Sequence, residues 1–405
     1  MKIIKFSFWR FAFLALGAVI ISLVFCFSSE AATLYLLPSS QSVYQGETML
    51  LEVRLNTEGE EINAAEIKIN FPQEIFQAVD TNRGNSIFSL WVQEPVISFG
   101  QGEVSFAGGV PNGFRGDGLL ASFILGASSL GSANVNFDQS SRVFLNDGKG
   151  TAANLVFLEG SYEVIKPEAN LPKILCATHP DQNKWFRSPV IHLHWDLAEG
   201  AEYSFQLSKD PLSEPDTVSD RPAGELKWIG DMEYAAVEDG IWYFSLRQKL
   251  LGADWSKKIS YRVMVDSTPP EPFKLEIGKD SSMFDGKYFL SFSATDKSSG
   301  IDHYEVFEER KKTFGKETTE EWQRAASPYV LKDQELKSII RVEAIDRAGN
   351  ERIEELLLPA KPFPYWIIGV IFLILVIAFL VSRKIKYFAS RIQEQKSKIK
   401  NSNQK

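Results

Sequence analysis

The chain has 405 residues, a formal net charge of −8 and two cysteines. The first 31 residues carry +2 and the segment from Ser382 onward carries +7, leaving −17 on the residues between; so acidic a region excludes nucleic acid as its partner. Cys26 falls in an apolar leader, so Cys176 stands alone in the mature chain. The exported part must then be held by hydrophobic cores rather than disulfides, as domains of roughly 100 residues can be.

Lys2, Lys5 and Arg10 precede an apolar run from Phe11 to Phe27, and Ser29-Glu30-Ala31 supplies the small residues of a cleavage site. This predicts a secretory signal over residues 1–31, cleaved after Ala31. An uncleaved signal anchor is the alternative, and it exports the downstream residues equally. Val24 and Phe25 are too bulky for lipidation at Cys26.

From Thr33 to about Ile165 the signal is almost entirely β. The segment Met49 to Leu55 alternates from Leu51, and Glu66 to Phe71 alternates over three periods, which sets one face of each strand on a core. Leu119 to Leu125 is apolar on both faces and reads as a central strand. Gly46, Gly59, Pro72, Gly100 and the glycines between Gly108 and Gly131 punctuate these runs. Short strands between glycine turns predict a jelly-roll β-sandwich over residues 32–166.

The same residues carry a family resemblance. Gly46-Glu47 before the first long strand, Ala64-Ala65-Glu66-Ile67-Lys68-Ile69-Asn70-Phe71-Pro72, Val104-Ser105-Phe106-Ala107-Gly108-Gly109, and Gly113-Phe114 through Gly118-Leu119 resemble a cohesin domain. Gly131 to Phe137 and Ser140 to Thr151 continue the likeness. The resemblance implies a nine-stranded jelly roll, from a family that binds dockerin modules in polysaccharide-degrading assemblies and is related in fold to carbohydrate-binding modules. A dockerin-like protein or a polysaccharide is therefore the expected ligand, with no contacting residue assigned to it.

Pro167 and Pro172 bracket a linker over 167–172, after which larger aromatics appear. Pro189 to Trp195 alternates with Ile191, Leu193 and Trp195 on one face; Gly240 to Arg247 and Tyr261 to Asp266 supply later strands. Residues 173–268 resemble an immunoglobulin or fibronectin type III sandwich, closed by the stiff segment Ser267-Thr268-Pro269-Pro270-Glu271-Pro272. Residues 269–360 resemble a second Ig-like module. Asp196, Gly200 and Tyr203 recur as Asp296, Gly300 and Tyr304, and the module runs to Ala344-Ile345-Asp346-Arg347-Ala348-Gly349-Asn350. Such tandem modules resemble those of bacterial and archaeal surface proteins. Each would be about 35–45 Å long, and the pair reads as a stalk that lifts the first domain off the membrane.

Tyr365 to Val381 carries no charge, and Arg383, Lys384 and Lys386 follow it directly. Thirteen Ile, Leu, Val and Phe in this run favour insertion by about −4 to −8 kcal/mol. A single transmembrane helix over 364–382 is predicted, with the basic segment 383–405 cytoplasmic and the β-domains extracellular, anchored at the cell membrane. In the tail, Ile385, Phe388, Ile392 and Ile399 form an apolar stripe among basic residues. That pattern suits either an interfacial helix on anionic inner-leaflet lipid or a solvated tail that sets topology.

No catalytic residue and no cofactor motif emerges. Carboxylates are plentiful, but no motif selects the facing pair that glycoside hydrolysis needs. His192 and His194 share a strand face with Asp196 in line, a geometry open to metal binding or to plain solvent exposure. The loops Arg115-Gly116-Asp117-Gly118 and Asn146-Asp147-Gly148-Lys149-Gly150 lack the ligand spacing of an EF-hand and read as turns. Cys176, beside Ile174 and Leu175, is either a core thiol or an intermolecular bridge. The expected function is capture of a protein or glycan by an anchored, non-enzymatic surface protein. The alternatives are a purely structural envelope protein and, given the short tail, less readily a signalling receptor.

Overall fold

The computed structural model describes residues 31–220, 230–310, 321–356 and 365–402. The expected signal segment, apart from Ala31, lies outside the described residues. Residues up to Leu356 form one unit and those from Leu357 onward another. Every described strand belongs to the first, so the ectodomain is all-β, and the second contributes one helix.

The first sandwich contains β1 (Ala32–Leu37), β2 (Ser40–Tyr44), β3 (Thr48–Asn56), β4 (Ile62–Asn70), β5 (Phe76–Asn82), β6 (Leu90–Ser98), β7 (Glu103–Phe114), β8 (Asp117–Ala127), β9 (Gly131–Phe137), β10 (Arg142–Leu145), β11 (Leu155–Phe157) and β12 (Gly160–Ile165). One sheet runs β11-β1-β3-β8-β5; the other runs β2-β12-β9-β4-β7-β6, with β10 also paired to β4. Twelve strands appear where the resemblance implies nine, because the first stretch splits between the two sheets as β1 and β2 and short strands form at 142–145 and 155–157. The alternation in the sequence places the core as expected. Leu51, Val53 and Leu55 from one sheet meet Ile67, Ile69, Phe106 and Val135 from the other, all fully buried. The seam is apolar and carries no disulfide, so hydrophobic burial is its main source of stability.

A second pair of sheets comes next in the chain. Ile174–Cys176, Ile191–Trp195 and Asp231–Tyr234 form one; Trp185–Phe186, Ile259–Val265, Gly240–Lys249 and Glu202–Ser208 form the other. Ile191, Leu193 and Trp195 point inward against Phe244, Leu246 and Val263. Trp195 is the centre of this core, with ring centroids of Phe205, Phe244 and Tyr203 at 5.4, 5.6 and 6.3 Å.

The third pair combines Leu275–Lys279, Tyr288–Phe292 and Tyr329–Val330 with Gln323–Ala325, Ile301–Arg310, Ser338–Asp346 and Glu351–Leu356. The repeated tyrosine has the same use in the second and third sandwiches. Tyr203 accepts a hydrogen bond from the Ala198 N–H at 2.7 Å, and Tyr304 accepts one from the Ala294 N–H at 2.9 Å. The repeated aspartate does not, since Asp196 is exposed and Asp296 is buried.

The sandwiches do not simply follow one another as a linear stalk. The outer face of the β3-β8-β5 region is covered: Leu50 and Ile124 form a buried cluster with Trp185 and Met264, joined by Ile241 and Ala348. This explains why Leu119 to Leu125 is apolar on both faces. One face fills the core of its own sandwich, and the other meets the neighbours. Polar groups close the contact. The buried Arg262 guanidinium donates from Nη2 to Thr48 Oγ1 at 3.0 Å and to Asn183 Oδ1 at 2.7 Å. Arg347 pairs with Asp80 at 3.0 Å, and the Asn85 N–H donates to the Asp296 carbonyl at 3.3 Å. Tyr44 and Ile165 from the first sandwich pack into the core of the second, so packing crosses the linker expected at 167–172.

In the other unit, one helix runs from Trp366 to Ser402 without interruption. It includes a stretch of mean hydropathy 2.6, none of it buried within the protein. This is long and apolar enough to serve as a membrane anchor. At ~1.5 Å per residue, a helix of 37 residues reaches ~55 Å, so the basic segment continues well beyond the ~30 Å hydrocarbon core.

Candidate ligand face and the junction between sandwiches

The outer face of the second sheet of the first sandwich is a large strand surface that packing leaves open. Register defines it. Ala64 aligns with Gly109 and Leu90, Glu66 with Ala107 and Gln93, and Lys68 with Ser105 and Val96. Their alternates Ala65, Ile67, Ile69, Val104 and Phe106 point inward, so these rows point out. Gly109, Ala107 and Ser105 give the face a shallow floor. Leu90, Val92 and Val96 stand exposed along β6, an edge strand with Pro95 within it, and Phe99 is exposed just beyond. Gln93 Nε2 donates to Ser105 Oγ at 3.2 Å and fixes one side of the floor. Among the described residues, register places one aromatic side chain of this sheet, Phe144 of β10, on the outer face beside Ala64, while none on β4, β6, β7 or β9 faces outward. Trp91 instead turns inward, with Phe88 and Phe106 at 5.4 and 6.2 Å.

At the junction, a cleft of about 430 Å³ is lined by Leu50, Asn82, Trp185, Tyr243 and Lys297, among others. Beside it lie three aspartates. Asp266 follows the strand Ile259–Val265, Asp296 lies in the turn before Ile301–Arg310, and Asp346 ends the strand Ser338–Asp346. One oxygen from each carboxylate lies within 4.8 Å of the other two. Burial pushes the Asp266 carboxyl up to about 6, with the Asp296 charge adding to the rise, and burial raises Asp296 and Asp346 as well. The sequence contains a trace of this site in the Asp296 repeat and in Asp346 to Asn350. Nothing in it shows that the final residue of one sandwich would join them.

The structure places the other candidate residues apart from both regions. His192 and His194 point outward from Ile191–Trp195, with their rings toward Asp231 of the neighbouring strand rather than Asp196. His194 Nδ1 lies 3.0 Å from Asp231 Oδ1, and His192 Nε2 lies 3.8 Å from it. Cys176 is buried in the second core, its sulfur 3.9 Å from His179 Nδ1, which removes it from intermolecular pairing in the folded state. Asp117 is held by Arg54 Nη2 at 2.7 Å and by the Tyr35 hydroxyl. Burial pushes its carboxyl up, but these two partners outweigh burial and hold it below the usual carboxylate range. Asp147 accepts from the Lys149 N–H at 2.9 Å and closes a turn.

No protein-family model matches the chain, and no curated protein matches it. Solved structures that match include cohesin modules. The non-cellulosomal cohesin of the archaeon Archaeoglobus fulgidus is 14% identical, the match covering 34% of this chain and 92% of that one at a TM-score of 0.29. A type I cohesin of Pseudobacteroides cellulosolvens is 14% identical over 35% of this chain and 96% of its own, at 0.31. A cohesin of Acetivibrio cellulolyticus, solved in complex with a dockerin, is 16% identical over 33% of this chain and 99% of its own, at 0.28.

Proposed function

We propose that this chain is a membrane-anchored surface protein whose first sandwich captures a protein partner, a dockerin-like module, on the outer face of β9, β4, β7 and β6. The unequal state of its two outer sheet faces carries the reading. The face around β3 and β8 is spent on the neighbouring sandwiches through Leu50, Ile124 and Thr48. The face built on Ala107, Ser105 and Gly109 is open, with an apolar rim along β6. A flat floor of small residues beside an apolar edge suits a rigid protein surface such as a helix. A polysaccharide is the alternative ligand, since Phe144 of β10, opposite Ala64, and the exposed Phe99 offer rings on this face and at its rim. The helix from Trp366 anchors the assembly, with Arg383, Lys384 and Lys386 on the cytoplasmic side by the positive-inside bias.

The test uses full-length protein in detergent micelles against a panel of immobilised dockerin-like modules. Ser105→Arg and Ala107→Arg raise a long side chain from the floor and should each weaken capture by roughly 30-fold or more, the scale of a central interface residue. His194→Ala, on the second sandwich, should leave capture unchanged. Capture that survives both arginine variants would place the partner elsewhere.

A further inference from the structure

The three aspartates at the junction are placed where charge is hardest to keep. Asp266 and Asp346 are almost completely buried and Asp296 is 9% exposed, yet among the described residues no lysine, arginine or histidine forms an ion pair with any of them. Hydrogen bonds hold the carboxylates in position: Asp266 Oδ1 accepts from the Thr268 N–H at 3.2 Å, Asp346 Oδ2 accepts from the Asn350 side-chain amide at 2.8 Å, and one oxygen of the cluster, on Asp296, is left over. The Ser298 and Gly300 N–H groups both donate to Asp296 Oδ1, at 3.0 and 2.7 Å. Among the described residues, no N–H ends on Asp296 Oδ2. Asp346 Oδ1 takes the Ala348 and Asn350 N–H groups at 2.8 and 2.9 Å.

A separate observation points into the same space. Ser299 is fully buried, and its N–H donates to Asp266 Oδ2 at 3.0 Å. Its hydroxyl lies beside that carboxylate, where it opposes the rise that burial causes in the Asp266 pKa, but it completes no hydrogen bond of regular geometry. A buried hydroxyl without such a bond is costly unless something absent from the protein itself completes its contacts.

We infer that Asp266, Asp296, Asp346 and the Ser299 hydroxyl form a binding site for a single hard divalent cation, calcium, at the junction of the three sandwiches. The donor set contains oxygen alone, which selects against the softer metals that favour histidine and cysteine. One Ca²⁺ at ~2.4 Å from each ligand bridges oxygens up to ~4.8 Å apart and accepts irregular sets of protein oxygens, whereas Mg²⁺ demands near-ideal octahedral geometry and keeps several of its waters. The ligands come from two sandwiches, and the third is in direct contact. The Asp296 carbonyl accepts from Asn85, and Arg347, next to Asp346, pairs with Asp80. A bound cation would therefore fix the angle between the second and third sandwiches and the seat of the first. Without it, mutual repulsion of the carboxylates loosens the joint.

The experiment titrates Ca²⁺ and Mg²⁺ into EDTA-treated full-length protein in detergent, reading stoichiometry by calorimetry and unfolding by heat. One Ca²⁺ per chain is expected. At a free concentration 100 times Kd, the folded-to-unfolded ratio should rise about 100-fold, with a smaller response to Mg²⁺. Asp296→Asn keeps both N–H contacts at Oδ1 while removing the charge. It should weaken Ca²⁺ binding at least tenfold yet be no less stable than the parent in EDTA, and Asp266→Asn should likewise bind Ca²⁺ at least tenfold more weakly. Absence of Ca²⁺ binding by the parent, unchanged binding in both variants, or an equal response to Mg²⁺ would overturn the assignment.

Discussion

Replacing Trp195 by alanine should destabilise the second sandwich by about 3–5 kcal/mol, the cost of removing a large buried aromatic from a core that cannot collapse around the void. Trp195 is 1% exposed and contacts three other rings. No disulfide is available to limit the loss, because the cysteine in this core, Cys176, is free. Trp195→Phe should cost less than alanine, since phenylalanine keeps a ring among these neighbours, leaves a smaller void and removes the buried indole N–H, which has no hydrogen-bond partner. Urea unfolding of the two variants measures both values. Similar losses for alanine and phenylalanine would show that the indole itself, rather than ring packing, matters.

A second substitution should act on the junction while sparing every core. A Cβ at Gly84 would stand 2.0 Å from the Ser298 carbonyl oxygen and 2.9 Å from the Gly300 nitrogen. Both neighbours are main-chain atoms, so no side chain can swing aside. Gly84→Val should therefore push the first sandwich off the third, breaking the Asn85 to Asp296 hydrogen bond and weakening the Arg347 to Asp80 pair. Overpacking of this kind costs about 1–3 kcal/mol. Thermal unfolding should separate into two transitions, and protease sensitivity should rise in the 167–172 linker. A single unchanged transition would mean that the contact tolerates a side chain at this position.

Much of the fold is legible in the sequence because strands read through their period of two. Leu51, Val53 and Leu55, Ile67 and Ile69, and Ile191, Leu193 and Trp195 all point where their alternation places them. The apolar run after Tyr365 is likewise legible from length and composition alone. What the sequence conceals is how the sandwiches meet. Leu119 to Leu125 announces burial on both faces, but the identity of the covering partner lies in Trp185 and Met264, far along the chain. A stalk is the natural reading of tandem modules, and contacts such as Thr48 to Arg262 and Asp80 to Arg347 show the first sandwich lying against both.

The candidate sites are less legible for the same reason. The open face depends on register between β4, β7 and β6, which includes irregularities between Trp91 and Gln93 and between Gln93 and Val96; these change which residues point outward without a mark in the pattern. The histidine pair is visible as a strand spacing, but its neighbour Asp231 comes from the adjacent strand, 37 residues from His194.

The division between a spent face and an open one can be measured in one experiment. Single cysteines introduced as Ile124→Cys and Ala107→Cys in the full-length protein are exposed to a bulky maleimide under native conditions, and dockerin-like capture is then read. Cys176 is buried and should contribute little background. The cysteine at position 124 should resist labelling, because Ile124 is 4% exposed within the junction. At position 107, labelling should be complete and should abolish capture. Ready labelling at 124, or full labelling at 107 with capture intact, would contradict the assignment of the two faces.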